Sequence, residues 1–379
     1  MIKKILLILI IISQFVFINA QETDSVFKPN GKFSGQIFGD YFYKISSDTI
    51  GNFKDTDGNP VNPKWGNSEY AQIDEGFNAF SIRMAQFGYD YNFSPKIAST
   101  FLLEGYDNAI SQNRSANIYI KLAYAKIKDI LPNMDLIFGL IPTPTFDKSE
   151  AVWAYRPVEK VIFDYRGLGR PVDMGVSIKG TAFNEKFGYQ LMAGNGAVMN
   201  SEKDKYKTIY FNLYTQLFDK KILIEANGEY SKNEINNVSK NIISTKIIVA
   251  YKSKTFTIGN ETGFQIQENS KLNGQELQAR RIAVSSFFTN IQFVEDKLFA
   301  FARYDIFKFD MNYNIADTYE TGLYPYDESF ISAGFDYQVI KNLHIIPNLW
   351  INTYNDLRQT NNYDRKPDII TRITFLYKF

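Results

Sequence analysis

The sequence predicts an all-β fold, a transmembrane antiparallel β-barrel of about 16 strands. Apolar and polar residues alternate with period two through segments of about ten residues, as in strands that face lipid on one side and water on the other. Short turns and long polar stretches join these segments in strict alternation. Beyond the first 20 residues, no apolar run approaches the 18 or so residues of a membrane helix, so strands must do any spanning.

The start of the chain has the pattern of a cleavable export signal. Two lysines precede the apolar run Ile5 to Ile12, and Ile18 to Ala20 fits a signal-peptidase site. We expect residues 1–20 to be a signal peptide and 21–32 a periplasmic segment. Gln21 in place of a cysteine argues against a lipid anchor.

Sixteen candidate strands follow, and an even number is what a bacterial barrel with both ends on one side requires. They cover 33–43, 78–91, 96–106, 116–128, 134–141, 172–182, 186–195, 207–218, 221–231, 241–251, 254–266, 277–293, 297–308, 328–339, 342–352 and 368–379. Seven short turns alternate with eight longer segments, at 44–77, 107–115, 142–171, 196–206, 232–240, 267–276, 309–327 and 353–367. Short turns face the periplasm in such barrels, and long loops face outward.

Two strands contain irregularities. Pro347 lies inside a strand that must pair on both sides, so we expect a bulge or a different strand boundary there. The alternation in 78–91 loses phase near Gln86.

The last strand alternates up to the terminal Phe379. Its face of Ile369, Thr371, Ile373, Phe375, Tyr377 and Phe379 resembles the C-terminal signal of bacterial outer-membrane barrels. That resemblance implies a place in the outer membrane, with lipid, lipopolysaccharide and the barrel-assembly machinery as partners. We expect interfacial aromatic anchors at Tyr41, Tyr43, Tyr124, Tyr377 and Phe379.

Composition excludes several classes of protein. The chain has no cysteine, which removes disulfides, thiol catalysis and thiolate metal sites. Its 42 basic and 41 acidic residues include two basic residues in the leader, so the mature charge is 40 − 41 = −1. Such a balance gives no reason to expect nucleic acid as a partner. No motif predicts a cofactor or a metal site.

The alternation also assigns the two faces of the wall, with polar residues lining the barrel interior. Ile118, Ile120, Leu122 and Tyr124 are expected to face outward. The predicted interior has mixed charge, with Arg83, Lys121, Lys179, Lys246, Arg281, Arg303 and Arg372 against Asp40, Glu104, Asp173, Glu225, Glu229, Asp305 and Asp336. A soluble sandwich would alternate in the same way, and closure of the sheet separates the two folds.

The third long loop, 142–171, has the most distinctive sequence. Gly139 to Thr145 reads GLIPTPT, Trp153 to Lys160 reads WAYRPVEK, Arg166 to Pro171 reads RGLGRP, and a Gly-rich strand and an Asn-Gly turn follow. Residues 139–196 resemble the phosphate-selective porin O/P family. The resemblance implies a homotrimeric outer-membrane porin whose third loop folds inward and narrows the pore. The family's phosphate preference depends on a dense array of interior arginines and lysines, so the mixed interior here does not support it.

Charged residues of this loop are candidates for the pore constriction, because charged rings set which ions pass. They are Lys148, Arg156, Lys160, Arg166 and Arg170 with Glu150, Glu159 and Asp164. The alternative is that these charges pair with each other and fix the loop to the wall.

The sequence therefore predicts passive diffusion of small hydrophilic solutes or ions through a charged, loop-constricted channel. One alternative is a sugar or organic-anion channel, or a surface-binding barrel that uses the aromatic loops Tyr319 to Tyr326 and Trp65 to Tyr70. Another is an outer-membrane hydrolase, which would need the single histidine, His344, beside an acid or serine of another strand.

Overall fold

The structure is a computed structural model that describes residues 27–48, 73–106, 117–202, 204–235, 238–319, 325–358 and 365–379. The predicted signal peptide and the stretch Trp65 to Tyr70 lie outside the described residues. No helix in the described ranges is long and apolar enough to cross a membrane.

Sixteen long strands form the wall, at the positions where period-two alternation predicts them. In chain order they are β1 (Asn30–Ser46), β2 (Asn78–Asn92), β3 (Ile97–Tyr106), β4 (Asn117–Leu131), β5 (Met134–Pro142), β6 (Val172–Ala182), β7 (Phe187–Gly194), β8 (Thr208–Leu217), β9 (Ile222–Ser231), β10 (Ile242–Lys252), β11 (Phe256–Asn273), β12 (Glu276–Val294), β13 (Leu298–Lys308), β14 (Tyr326–Ile340), β15 (Leu343–Asp356) and β16 (Asp368–Lys378).

The sheet closes on itself. Each strand pairs antiparallel with its neighbours in the chain, and β1 also pairs with β16. Phe38 of β1, for example, is opposite Met84 of β2 on one side and Leu376 of β16 on the other. Closure gives every wall strand two partners, which removes the free edges of an open sheet. The predicted antiparallel barrel of 16 strands is confirmed.

The outer wall is apolar. Phe80 is 82% exposed and Ile118 is 73% exposed, and many other large apolar side chains point outward around the barrel. On β6, Val176 and Ile178 point outward while Ser177 is buried on the inside. Such a wall is stable where the surrounding solvent is hydrocarbon and the interior holds the polar groups.

The predicted long loop at 267–276 is wrong. Strands β11 and β12 continue past the wall as one hairpin and are joined by only two residues, Gly274 and Gln275. A short strand, Asp317–Tyr319, pairs with the β11 end of this hairpin. The polar residues of 267–276 therefore belong to a hairpin that extends beyond the barrel wall.

Two β-bulges explain why the alternation of apolar and polar residues changes phase within β2 and β4. In β2 the register slips at Arg83, so Arg83 and Met84 both point inward. In β4 it slips at Lys121. Because a one-residue slip exchanges the two faces, the predicted outward orientation of Leu122 and Tyr124 is wrong. Both line the interior.

Pro347 lies within β15 and the register does not shift there, so the predicted bulge or different strand boundary is wrong. Its ladder with β16 is unbroken, and Pro347 is opposite Ile373. The ladder with β14 skips the positions of Pro347 and its neighbour without a change of register. The missing N–H of proline is therefore accommodated by a local gap in one ladder.

Residues 143–171, here called the inner segment, pack against inward-facing side chains of the wall. The inner segment contains two short helices, α1 (Asp147–Trp153) and α2 (Ile162–Tyr165). Its apolar residues share a core with wall residues of β9 to β15, among them Leu223, Ile248, Ile282, Phe288, Phe301 and Ile346. The inner segment therefore occupies much of this half of the barrel interior.

Candidate functional site

Three wall arginines hold the inner segment by its backbone. Arg372 donates from Nη2 to the carbonyl oxygen of Val158 at 2.9 Å. Arg83 donates to the carbonyl oxygen of Pro157, and Arg303 to that of Lys160. Arginine suits this task because its guanidinium carries five donors in a fixed geometry. These predicted interior charges therefore position the inner segment.

Each of the three arginines also has a partner on the wall. Arg83 forms an ion pair with Asp40 at 2.5 Å, and Arg303 contacts Asp305 through Nε at 2.8 Å. Arg372 donates from Nε to Oδ1 of Asn348 at 2.9 Å.

Other predicted constriction residues also lie in ion pairs at the wall. Arg166 is buried and pairs with Glu328. Arg170 pairs with Glu229 and donates from Nε to the carbonyl oxygen of Gly196 at 2.9 Å. The contacts of Arg166 and Arg170 therefore fit the alternative hypothesis, in which the loop charges fix the loop to the wall.

Several more predicted residues take structural positions. Asp173 is buried and accepts hydrogen bonds from the Tyr210 hydroxyl at 2.8 Å and from the Gly196 amide at 2.6 Å. Lys148 lies over the Tyr214 ring, with its Nζ 4.2 Å from the ring centroid. The remaining interior charges form pairs or hydrogen bonds, as in Lys246 with Glu261 at 3.3 Å and Glu225 with Asn212 at 2.5 Å.

The predicted interior position of Arg281 is wrong. Arg281 is exposed on the outside, and its neighbour Arg280 is buried inside over the ring of Phe309. The inward face of β12 carries Ile282 and Val284, which pack in the same core as the inner segment. An apolar inward face gives no alternation from which the phase of this strand can be assigned.

The open part of the interior lies along β1 to β7. A turn-side cavity of about 630 Å³ begins near the short turns, at Asn133 and Thr181. A loop-side cavity of about 580 Å³ begins near the long loops, at Tyr119 and Met199. Both cavities are lined by Lys121, Arg156 and Pro171. We call these three residues the neck.

The neck places charges of both signs close together. Lys121 of the wall forms an ion pair with Glu104 at 3.1 Å. On the inner segment, Arg156 pairs with Asp164 at 3.0 Å and also with Glu150. Glu159 and Lys160 line the loop-side cavity next to this cluster. Of the loop charges predicted for the constriction, Arg156, Glu150, Glu159, Lys160 and Asp164 line the open cavities. The predicted interior charges Arg83, Glu104, Lys121 and Lys179 line them as well.

We expect the ion preference of the neck to depend on pH through Glu150. Burial raises the pKa of this carboxyl group above its ordinary value, against the opposing effect of Arg156. As pH falls, Glu150 therefore loses its negative charge earlier than a typical glutamate, and preference for anions should rise. Reversal potentials in a salt gradient at a series of pH values measure this. Glu150→Gln should remove that step, and a step that persists in this variant would contradict the assignment.

His344 lies in a third cavity, of about 280 Å³, on the other side of the inner segment. Its Nδ1 is 2.9 Å from Oδ1 of Asp336. In the described residues, His344 makes no hydrogen bond to a serine or threonine hydroxyl. Asp336 supplies the acid that a catalytic arrangement would need, and no nucleophilic hydroxyl contacts His344 within the described part of the chain.

Several lining residues were not among the predicted site residues. Lys126, Asp135, Asp147 and Gln190 line the turn-side cavity. Asp135 has the same inward orientation as the predicted interior residue Lys179, because the two residues are directly opposite each other in the β5–β6 ladder. No sequence signal marks the bulge that turns Lys126 inward.

Comparison with known proteins identifies the fold. No protein-family model matches the chain, and no curated protein matches its sequence. Among solved structures, the outer membrane channel DcaP of Acinetobacter baumannii has a TM-score of 0.69 at 11% identity, covering 94% of this chain and 99% of DcaP. Salmonella typhi OmpF in complex with daunomycin gives 0.57 at 12% identity, covering 92% and 97%. OmpT of Vibrio cholerae in its trimer form gives 0.55 at 11%, covering 93% and 100%. The chain therefore has the fold of outer-membrane porins.

Proposed function

We propose that this protein is a channel of the outer membrane through which small hydrophilic solutes or ions diffuse passively. The observation that carries the proposal is the pair of open cavities that share a charged neck inside a closed barrel. Solutes are limited in size by the inner segment, and fixed charges at the neck bias which of them pass.

The short-turn end faces the periplasm and the long-loop end faces outward, as in other outer-membrane barrels. Membrane lipid surrounds the apolar wall, and lipopolysaccharide contacts its outer rim. The barrel-assembly machinery recognises β16, which ends beside Phe379. The functional unit is a homotrimer, a state supported by the trimer form of the similar OmpT structure.

The neck does not favour phosphate over other small anions. The proposed kinship with the phosphate-selective porin O/P family rests on the motifs between 139 and 196. That family's phosphate preference depends on a dense array of interior arginines and lysines, whereas the neck has one lysine and one arginine, and Lys121 and Arg156 are each paired with an acid.

Single-channel recording from the folded protein in planar bilayers tests the channel. We expect steady open steps whose reversal potential in a salt gradient gives only weak ion preference. Addition of phosphate should leave the current in chloride unblocked. Folded, heat-modifiable protein that never conducts would contradict the proposal.

Arg156→Ala should shift the ion preference toward cations by about twofold in permeability ratio, because it removes a partly screened positive charge from the neck. Arg281→Ala is the matched control, since this arginine is exposed on the outside of the barrel. An unchanged reversal potential for Arg156→Ala would show that the neck does not set selectivity.

Catalysis is the weaker alternative. It rests on the His344 and Asp336 pair, which has no hydroxyl nucleophile in contact among the described residues. A dedicated sugar or organic-anion channel remains compatible with the same barrel and would differ in solute preference.

A further inference from the structure

The turn-side cavity has an apolar wall, whereas the water-filled interior of such barrels is usually polar. The apolar side chains that line it include Leu102, Leu122, Tyr124, Ile137, Ile141 and Phe146. Leu122 and Tyr124 are there because the bulge at Lys121 turns them inward. Bulges that re-aim side chains are commonly found next to functional sites.

A row of alternating charges borders the apolar wall on the side of the short turns. Lys126 of β4 is followed by Asp135 of β5 and Lys179 of β6, and Asp135 is directly opposite Lys179 in the ladder. Lys126 itself is directly opposite Ile137, so charge and apolar wall are adjacent.

The ion pairs in this cavity have long N–O distances and solvent-exposed side chains. Lys126 and Asp135 are 3.8 Å apart, and Lys179 and Asp147 are 3.6 Å apart. Their side chains are 30% to 62% exposed. Exposed pairs of this kind contribute little to stability, so a solute that carries both charges can replace them at small cost.

From this combination we propose that the turn-side cavity binds zwitterionic solutes with an apolar body, namely apolar amino acids or short apolar peptides with both termini free. The solute's carboxylate contacts Lys126 or Lys179, and its ammonium group contacts Asp135 or Asp147. Its apolar side chains lie on Leu122, Tyr124 and Ile137. A volume of about 630 Å³ is within the usual range for small-molecule sites. The inference rests on the proposed channel function, because solutes reach the cavity through the barrel.

Calorimetric titration of the folded full-length protein in detergent with L-leucyl-L-leucine tests the site directly. We expect binding about tenfold tighter than that of glycylglycine, which corresponds to about 1.4 kcal/mol. N-acetyl-leucyl-leucine lacks the ammonium group and leucyl-leucinamide lacks the carboxylate, and both should bind more weakly than the free dipeptide. Equal affinity for all four probes, or no binding of leucyl-leucine, would overturn the proposal.

Variants separate the apolar and ionic contributions. Leu122→Asn should remove the preference for leucyl-leucine over glycylglycine, while Leu122→Met, the matched control, should keep it. Lys179→Gln should weaken the free dipeptide more than leucyl-leucinamide. A preference that survives Leu122→Asn would contradict the assigned wall.

Recordings in planar bilayers distinguish failure of the site from failure of the channel. Leucyl-leucine added on the short-turn side should interrupt the ion current of wild-type channels. Normal conductance without calorimetric binding would overturn the site and leave the channel intact. Calorimetric binding without any conductance would support the site and contradict the channel.

Discussion

Arg303→Met should destabilise the protein by about 3–5 kcal/mol, because it leaves a buried carboxylate without its cation. Arg303 is fully enclosed, contacts Asp305 through Nε at 2.8 Å and Nη2 at 2.5 Å, and lies over the Trp153 ring. It also donates to the carbonyl oxygen of Lys160 in the inner segment. The same substitution therefore removes a charge pair and one of the contacts that position the inner segment.

Urea unfolding of the detergent-solubilised barrel, followed by heat-modifiable mobility, measures the loss. Lys308→Met is the matched control on the same strand, since Lys308 is about half exposed and its pair with Asp327 at 2.7 Å should be worth at most about 1 kcal/mol. Adding Asp305→Asn to Arg303→Met should recover part of the stability, because the unpaired charge is removed. If Arg303→Met lowers the free energy of unfolding no more than Lys308→Met does, water must enter this part of the barrel and solvate Asp305.

The wall of this barrel was predictable from the sequence because each strand has one face toward hydrocarbon. That constraint gives β6 and β8 a clean alternation, with Val176 and Phe211 outward and Ser177 and Tyr210 inward. It fails where the interior is also apolar. On β12, Phe287 points outward and Phe288 inward, so hydropathy cannot assign the phase.

The site was less predictable, because it depends on features with little or no local signal. The bulge at Arg83 shows in the sequence only as a loss of phase near Gln86, and the bulge at Lys121 appears only as a shift in register between paired strands. The division of the inner segment's charges between the neck and the wall depends on partners far away in sequence, as for Arg166 and Glu328. The sequence identified the right loop and left open which of its charges face water.

Phe163→Ala should loosen the inner segment and roughly double the single-channel conductance, since the open cross-section limits the current. Phe163 is 1% exposed and belongs to the core between the inner segment and the wall. Gly263 of β11 makes room for its ring, because a Cβ at that position would lie 2.5 Å from the Phe163 ring. Truncating a buried phenylalanine costs about 3–5 kcal/mol, and here that cost weakens the docking of the segment rather than the strand ladders.

Gly263→Val provides a second route to the same state, since the added side chain displaces the Phe163 ring from the wall side. Both variants should keep the heat-modifiable mobility of a folded barrel, because closure depends on the ladders between strands. Phe183→Ala is the matched control, as this phenylalanine is 81% exposed at a short turn. If conductance rises in neither Phe163→Ala nor Gly263→Val while the barrel stays folded, the inner segment is held by its arginine contacts alone. If both variants conduct more and lose ion preference together, the apolar core keeps Arg156 at the neck with Lys121 and so determines both the size and the charge of the neck.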